Sequence, residues 1–249
     1  MREPLHFDAE WRITLFTLLF VPLMTGLGFW QLQRAEEKAA LGANWEQRKQ
    51  ESPAPLANLR GQDPSQLAYR RARIDGHFVP QHYFLLDNRV RQGRFGYEIL
   101  AVMRSKDSNG SVLINRGWVT GDPARRSLPD VREVTGNVSV TGHVYVAPGE
   151  PYLLGEQPLP AGWPKVIQAV EMDKLASAVG GSVFPYPVRL DSGQPGALET
   201  GWQVVNVSPA KHQGYAVQWF TMALVLLVFY LLRSSNLWQW LTGRTRTES

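Results

Sequence analysis

Two uncharged apolar stretches stand near the ends of the chain, Ile13 to Leu32 and Tyr215 to Leu232; between them apolar and polar positions alternate over short distances. The first stretch has 20 residues and the second 18. As helices, each is about long enough to cross the hydrocarbon core of a bilayer. Aromatic residues mark their edges: Trp11, Phe29 and Trp30 on the first, Tyr215, Trp219 and Tyr230 on the second. That is the distribution expected at the two membrane interfaces. Pro22 predicts a kink in the first helix, and Gly26 and Gly28 a smooth strip for close helix approach. The first stretch exceeds the apolar core of a signal peptide, and Gln31-Leu32-Gln33-Arg34 is a poor cleavage site, so an uncleaved anchor is expected. Glu3, Asp8 and Glu10 argue against a mitochondrial targeting peptide.

The intervening pattern is that of strands. Arg73–Val79, Tyr83–Asn88, Tyr97–Arg104 and Ser111–Val119 are β-branched or aromatic runs separated by turn residues, with Asn109-Gly110 as a hairpin signal. Val138, Val140, Gly142, Val144 and Val146 alternate strictly. Lys165–Val170, Tyr186–Leu190 and Trp202–Val207 complete about eight strands. Glu171–Val179 is expected to be a short helix ended by Gly180-Gly181. The charged run from Arg34 to about Gln50 continues the first apolar helix until Pro53 and Pro55 stop it, and Pro148–Pro164 is a Pro/Gly-rich loop. Asn236–Leu241 predicts a short interfacial helix.

The fold class is therefore a membrane-anchored α+β protein, with two transmembrane helices bracketing a mainly antiparallel β external domain, a sheet or partial barrel. The expected boundaries are 1–12, a cytoplasmic tail; 13–32, the first transmembrane helix; 33–211, a periplasmic β-rich domain; 212–232, the second transmembrane helix; and 233–249, a cytoplasmic tail. Arg2 and Arg12 in one tail and Arg233, Arg244 and Arg246 in the other place both termini in the cytoplasm. This describes a multi-pass protein of a bacterial inner membrane.

Charge and composition narrow the chemistry. The formal net charge is +4, and Arg34 to Lys211 holds 21 basic and 18 acidic residues, about +3, too mild to suggest nucleic acid. Two local basic clusters, Tyr69–Arg73 and Arg89–Arg94, read as solvated strand faces and turns, or as contacts for headgroups, propionates or protein. The chain has no cysteine, which removes disulfides, thiol catalysis and covalent haem attachment. There is no Walker loop and no GxSxG, and Asp191-Ser192-Gly193 reads as a turn. Among the five histidines, His77 and His82 flank an expected turn without metal-ligand spacing, and His143 falls on a polar, exposed strand position.

His212 is distinguished by its place, three residues before the second apolar stretch. On a helix it shares a face with Tyr215 and Trp219. Two readings stand: an imidazole that ligates iron, or an interfacial histidine that hydrogen-bonds Tyr215. If both termini share one side, the ends of the helices nearest the external domain share one leaflet. Phe29, Trp30, Gln31 and Arg34 can then face His212, Tyr215, Gln218 and Trp219. Such a crevice suits a flat macrocycle bearing carboxylates, although an ordinary pair of belted helices has the same sequence.

Five blocks in order carry a family resemblance: Gly28–Lys38 (GFWQLQRAEEK), Gly76-His77-Phe78 with Leu86-Asp87-Asn88, Gly93–Tyr97 (GRFGY), Val112–Val119 (VLINRGWV) and His212–Phe220 (HQGYAVQWF). Together they resemble the Surfeit locus protein 1 family of cytochrome c oxidase assembly factors. The resemblance implies a non-enzymatic role in maturing haem-copper oxidases, with haem a bound or positioned for insertion into the catalytic subunit. It makes His212 the ligand of the haem iron, and Trp30, Gln31, Arg34, Tyr215, Gln218 and Trp219 its motif companions. Implied partners are the oxidase catalytic subunit, other assembly factors, haem a synthase and membrane lipid. The alternative is a cofactor-free membrane scaffold that stabilises nascent oxidase subunits. The same resemblance leaves Gly96 and Gly117 to backbone geometry, Trp118 to the core, and Arg116 without a role.

Overall fold

The computed structural model describes residues 6–107, 110–147, 149, 155, 157–202 and 208–242. It divides into a helical unit, residues 1–44 with 204–249, and a β unit, residues 45–203. Along the chain the elements are α1 (Trp11–Gln50), β1 (Ala54–Pro55), α2 (Leu56–Leu59), α3 (Pro64–Leu67), β2 (Arg71–Leu86), β3 (Gly96–Ser105), β4 (Ser111–Thr120), β5 (Val138–Val144), β6 (Lys165–Ile167), α4 (Met172–Val179), β7 (Val188–Leu190), α5 (Pro209–Arg233) and α6 (Leu237–Thr242).

In the helical unit, α1 and α5 are both long and apolar enough to cross a membrane. Helix α1 has 40 residues, about 60 Å of rise. It passes through Pro22 without a break and ends at Gln50, just before the prolines that were expected to stop it. The seam between α1 and α5 follows a 3.5-residue spacing. Thr14, Thr17, Val21, Met24, Gly28 and Gln31 on α1, and His212, Ala216, Trp219, Ala223, Leu226 and Tyr230 on α5, are buried or half-buried, with half-buried Ile13, Phe20, Thr25, Leu27 and Phe220 flanking them. That repeat is the signature of knobs-into-holes packing. The pairs run antiparallel: Gln31 meets His212, Gly28 meets Phe220, and the Thr14 and Tyr230 hydroxyls lie 3.0 Å apart. Gly28 is needed here, because a Cβ would come within 2.6 Å of the Phe220 ring. Gly26 does not share this role; it is exposed, and a Cβ there would meet nothing outside its own helix turn within 4 Å. A short helix, α6, is present where Asn236–Leu241 predicted one. Tail residues Arg2, Arg244 and Arg246 lie outside the described residues.

The β unit is a closed barrel rather than an open sheet. Strands follow the order β2-β3-β4-β7-β5, and β5 pairs back onto β2. The pairs β2–β3, β3–β4, β2–β5 and β5–β7 are antiparallel, while β4–β7 and the short additions β1 and β6 on β2 are parallel. Alternate residues point inward, so Ala72, Ile74, Phe78, Ala101, Met103, Val112, Ile114, Val140, Val188 and Leu190 share one core. A second cluster, Phe84, Leu86, Leu100, Val102, Leu113, Ile167 and Leu175, seats α4 on the barrel wall.

Several sequence expectations need correction. The two strands expected at Arg73–Val79 and Tyr83–Asn88 are one 16-residue strand, β2. What reads as a turn between His77 and His82 is a bulge, with a register shift between Phe78 and Tyr83 and Gln81 at φ 57°. A bulge keeps both halves in the sheet while bending the strand, which lets β2 turn a barrel corner. Strand β5 ends at Val144, and β6 and β7 are shorter than expected. Of the strand expected at Trp202–Val207, only Trp202 is described, and it is not in a strand. Asn109 and most of the expected loop between Pro148 and Glu156 also lie outside the described residues.

Candidate functional site

The α1–α5 seam closes, at the ends of its two apolar runs, on a polar layer made of Gln31 and His212. Both residues fall on the 3.5-residue repeat, so their side chains are turned toward the partner helix. A polar pair at such a position is costly near a bilayer unless the groups satisfy one another. They do so in part. His212 Nδ1 lies 2.8 Å from Gln31 Oε1. An amide oxygen only accepts, so Nδ1 carries the proton and donates it. In a neutral imidazole the lone pair is then on Nε2. That nitrogen is buried and has no hydrogen-bond partner. A histidine whose Nδ1–H is held by a neighbour while Nε2 stays open has the tautomer found in metal ligation.

The other motif positions separate into groups. Trp219 is half-buried on the seam, two turns along from His212. Tyr215 and Gln218 are exposed, and Tyr215 is not the partner of His212. Trp30 is half exposed, with the Arg34 guanidinium 5.6 Å from its ring centroid. Arg34 also pairs with Glu37 at 2.8 Å. Both members of that pair are about half exposed, so the contact is weak and exchangeable. Phe29 packs edge-on against Phe220. Of the expected crevice, then, the Gln31–His212 contact is formed, Trp219 lies two turns further along the seam, and the cation sits with Trp30 on the outer face of α1.

A buried histidine was missed by the sequence. His143 is on the outer face of β5, where alternation predicted exposure, yet it is 6% exposed. The Trp45 ring lies 4.4 Å over it. Its Nδ1 is 2.9 Å from Asp191 Oδ1. Asp191 also accepts from Thr141 Oγ1 at 2.9 Å and Arg71 Nη2 at 3.1 Å. Burial pushes the Asp191 carboxyl up, but the close contact with His143, the hydrogen bonds from Thr141 and Arg71, and the charge of His143 outweigh it and hold the pKa at about 2. The Asp191–Gly193 segment does form the expected turn. Its aspartate also ties β2, β5 and β7 together at the barrel's closing seam.

The NRGW block is internal architecture. Arg116, 4% exposed, donates to the carbonyls of Gly196 and Arg132 and lies over Phe78, so it clamps two loops onto the barrel. Trp118 is buried and donates Nε1–H to the Arg89 carbonyl. Gly117 sits at φ 120°, and a Cβ there would stand 2.8 Å from the Glu199 carbonyl oxygen. At Gly96 a Cβ would meet the Val119 carbonyl and the Trp118 ring. No group of three or more His, Asp or Glu side chains fit to hold a metal ion occurs among the described residues.

The SURF1 family profile matches residues 18–224, which include the whole barrel and the helix seam from Val21 to Gln31 and from His212 to Ala223. Similar proteins include a SURF1-like protein of Monosiga brevicollis, 25% identical over 235 residues, covering 87% of this chain and 85% of that protein. Surfeit locus protein 1 of Rattus norvegicus is 27% identical over 225 residues, covering 82% and 70%. The cytochrome oxidase assembly protein SHY1 of Saccharomyces cerevisiae is 28% identical over 125 residues, covering 49% and 31%.

Proposed function

Because the chain belongs to the SURF1 family, one of whose similar proteins is named for cytochrome oxidase assembly, we propose that it is a membrane-anchored assembly factor for haem-copper cytochrome c oxidase. In this reading it binds or positions haem a for insertion into the oxidase catalytic subunit, and no bond is made or broken. The protein sits in a bacterial inner membrane with both termini cytoplasmic and the β unit periplasmic.

The observation that carries the haem reading is the buried, unpartnered Nε2 of His212, with Nδ1–H held by Gln31. The donor set fits: an imidazole oriented by Gln31 with Nε2 open, two turns from the Trp219 ring on the same helix face, at the end of an apolar helix run. Haem a, as cargo, supplies an iron that takes an imidazole and two propionates that take cations. Gln31 fixes the ring and raises its basicity. Lys211, next to His212, and Arg34, three residues from Gln31, are the cations nearest this layer in sequence, and the exposed pairing of Arg34 with Glu37 leaves it able to exchange partners. Since Nε2 is covered, ligation requires the side chains over it to move aside.

The test is an absorption spectrum of the purified protein made in cells that synthesise haem a, with His212→Ala beside it. The expected result is a Soret band that the substitution weakens or shifts, while barrel folding is unchanged. Stoichiometric haem of unaltered spectrum in the variant overturns the ligand assignment. A flat Soret region in the wild type favours the cofactor-free scaffold.

A further inference from the structure

Two loops of the β unit, residues 87–95 and 121–128, adjoin one another. Arg125 pairs with Asp87 and lies 4.9 Å over the Phe95 ring. The Gly121 amide donates to the Phe95 carbonyl at 3.1 Å. Each loop carries arginines around one apolar side chain turned to solvent. In the first, Val90 stands between Arg89 and Arg91, 65% exposed; in the second, Leu128 follows Arg125 and Arg126, 46% exposed. Among the described residues of the barrel and its loops, these are the exposed large aliphatic side chains.

The loops are built to hold that arrangement. Arg91 donates to the carbonyls of Glu199, Thr200 and Gly201, and Gln92 and Gly93, at φ 50° and 75°, make the turn that returns the chain to Arg94. Arg94 is braced over the Trp118 ring at 5.2 Å, with Glu199 3.7 Å away. The carbonyl partners of Arg91 are neutral, so its charge stays uncompensated. Five arginines (89, 91, 94, 125 and 126) face Asp87 and Asp122 within the loops, a formal balance of +3, with Glu98 and Glu199 flanking Arg89 and Arg94.

We infer that this pair of loops is a membrane-surface contact: Val90 and Leu128 enter the headgroup region of an anionic bilayer while Arg89, Arg94 and Arg126 meet its phosphates. The chemistry is the usual one for peripheral attachment, apolar insertion combined with attraction to anionic lipid. The bilayer is at hand, because the protein is anchored in it. Chain arithmetic keeps it in reach: Gly201, bonded to Arg91, precedes Pro209 at the start of α5 by eight residues, at most about 28 Å of extended chain.

The absence of cysteine makes the test direct. Val90→Cys, Leu128→Cys and, as a control on exposed α4, Ser177→Cys are labelled with an environment-sensitive fluorophore in the full chain. Each is reconstituted into vesicles of phosphatidylcholine alone or mixed with phosphatidylglycerol. The expected result is blue-shifted emission and quenching by lipid-borne nitroxide at 90 and 128, only in the mixed vesicles, and neither at 177. Adding Arg89→Gln and Arg126→Gln should abolish the shift, and high salt should reduce it. Probes at 90 and 128 that stay open to aqueous iodide in both lipids overturn the proposal and return these loops to protein contacts. Equal burial in both lipids, or in the arginine variants, overturns the electrostatic part. The readout involves no haem, so its failure is separable from failure of the haem reading.

Discussion

His212 in the helix seam and His143 on the barrel wall present the same local picture and different chemistry. Each has Nδ1 within 2.9 Å of a side-chain oxygen, and each keeps a buried Nε2 without a partner. The oxygen beside His212 belongs to a neutral amide. The oxygen beside His143 belongs to a carboxylate that also takes Arg71 and Thr141. A neutral acceptor orients the ring without adding a counter-charge and leaves Nε2 as the nitrogen that can ligate. A carboxylate held ionised down to about pH 2 binds the ring into a charge network spanning three strands, where its value is structural. An open nitrogen therefore does not identify a binding site; the charge of the group behind the ring separates the two.

That contrast can be broken at three points. The largest effect is expected at Asp191→Asn, which leaves Arg71 and His143 without their anion. It should lower barrel stability by about 2–4 kcal/mol in denaturant titrations followed by tryptophan fluorescence. The same carboxyl sets a pH limb. Its pKa in the folded state, about 2, lies below the ordinary 3.8, so its stabilisation is complete above pH 3.8 and is lost as pH falls toward 2. The loss is about 1–2 kcal/mol, and the Asn variant should lack it. Next, Gln31→Leu removes the acceptor behind His212. If the haem reading holds, it should weaken haem retention by about 10–100-fold and leave the barrel unaffected. An unchanged affinity would show that the amide does not prepare the ring. The smallest effect is expected for His212→Ala on barrel stability, within about 0.5 kcal/mol. A larger change would mean that His212, too, is structural.

The sequence made the helical unit legible nearly whole. The two long apolar helices, the extension of α1 to Gln50 and the terminal α6 all follow from local hydropathy and proline placement. The Gln31–His212 layer was legible as a meeting of two helix ends, since an antiparallel pair has little choice of register. What local pattern cannot carry is closure. Pairing of β5 with both β2 and β7 joins segments far apart in the chain, and Pro80 in the middle of β2 reads as a break because the bulge that accommodates it depends on neighbouring strands. His143 was misread for the same reason. The period-2 rule placed it correctly on the outer face, but Trp45 and Asp191, which cover and hold it, arrive from distant segments. The role of Arg116 was hidden because its acceptors are backbone carbonyls, which leave no trace in residue type.

Strand β2 has a consequence for how the protein is made. Its first half lies between β1 and β5, and its second half between β3 and β6. On the ribosome or during export, β3 and β4 follow within a few dozen residues, but β5 emerges some fifty residues after β2 ends and β6 later still. Until then the nascent strand offers open backbone edges to any extended chain nearby, the hazard that edge strands pose in general. Pro80 and the bulge around it interrupt those edges at their midpoint, where a flat, continuous ladder would invite misassembly. The bend that closes the finished barrel is thus also a safeguard for the unfinished one.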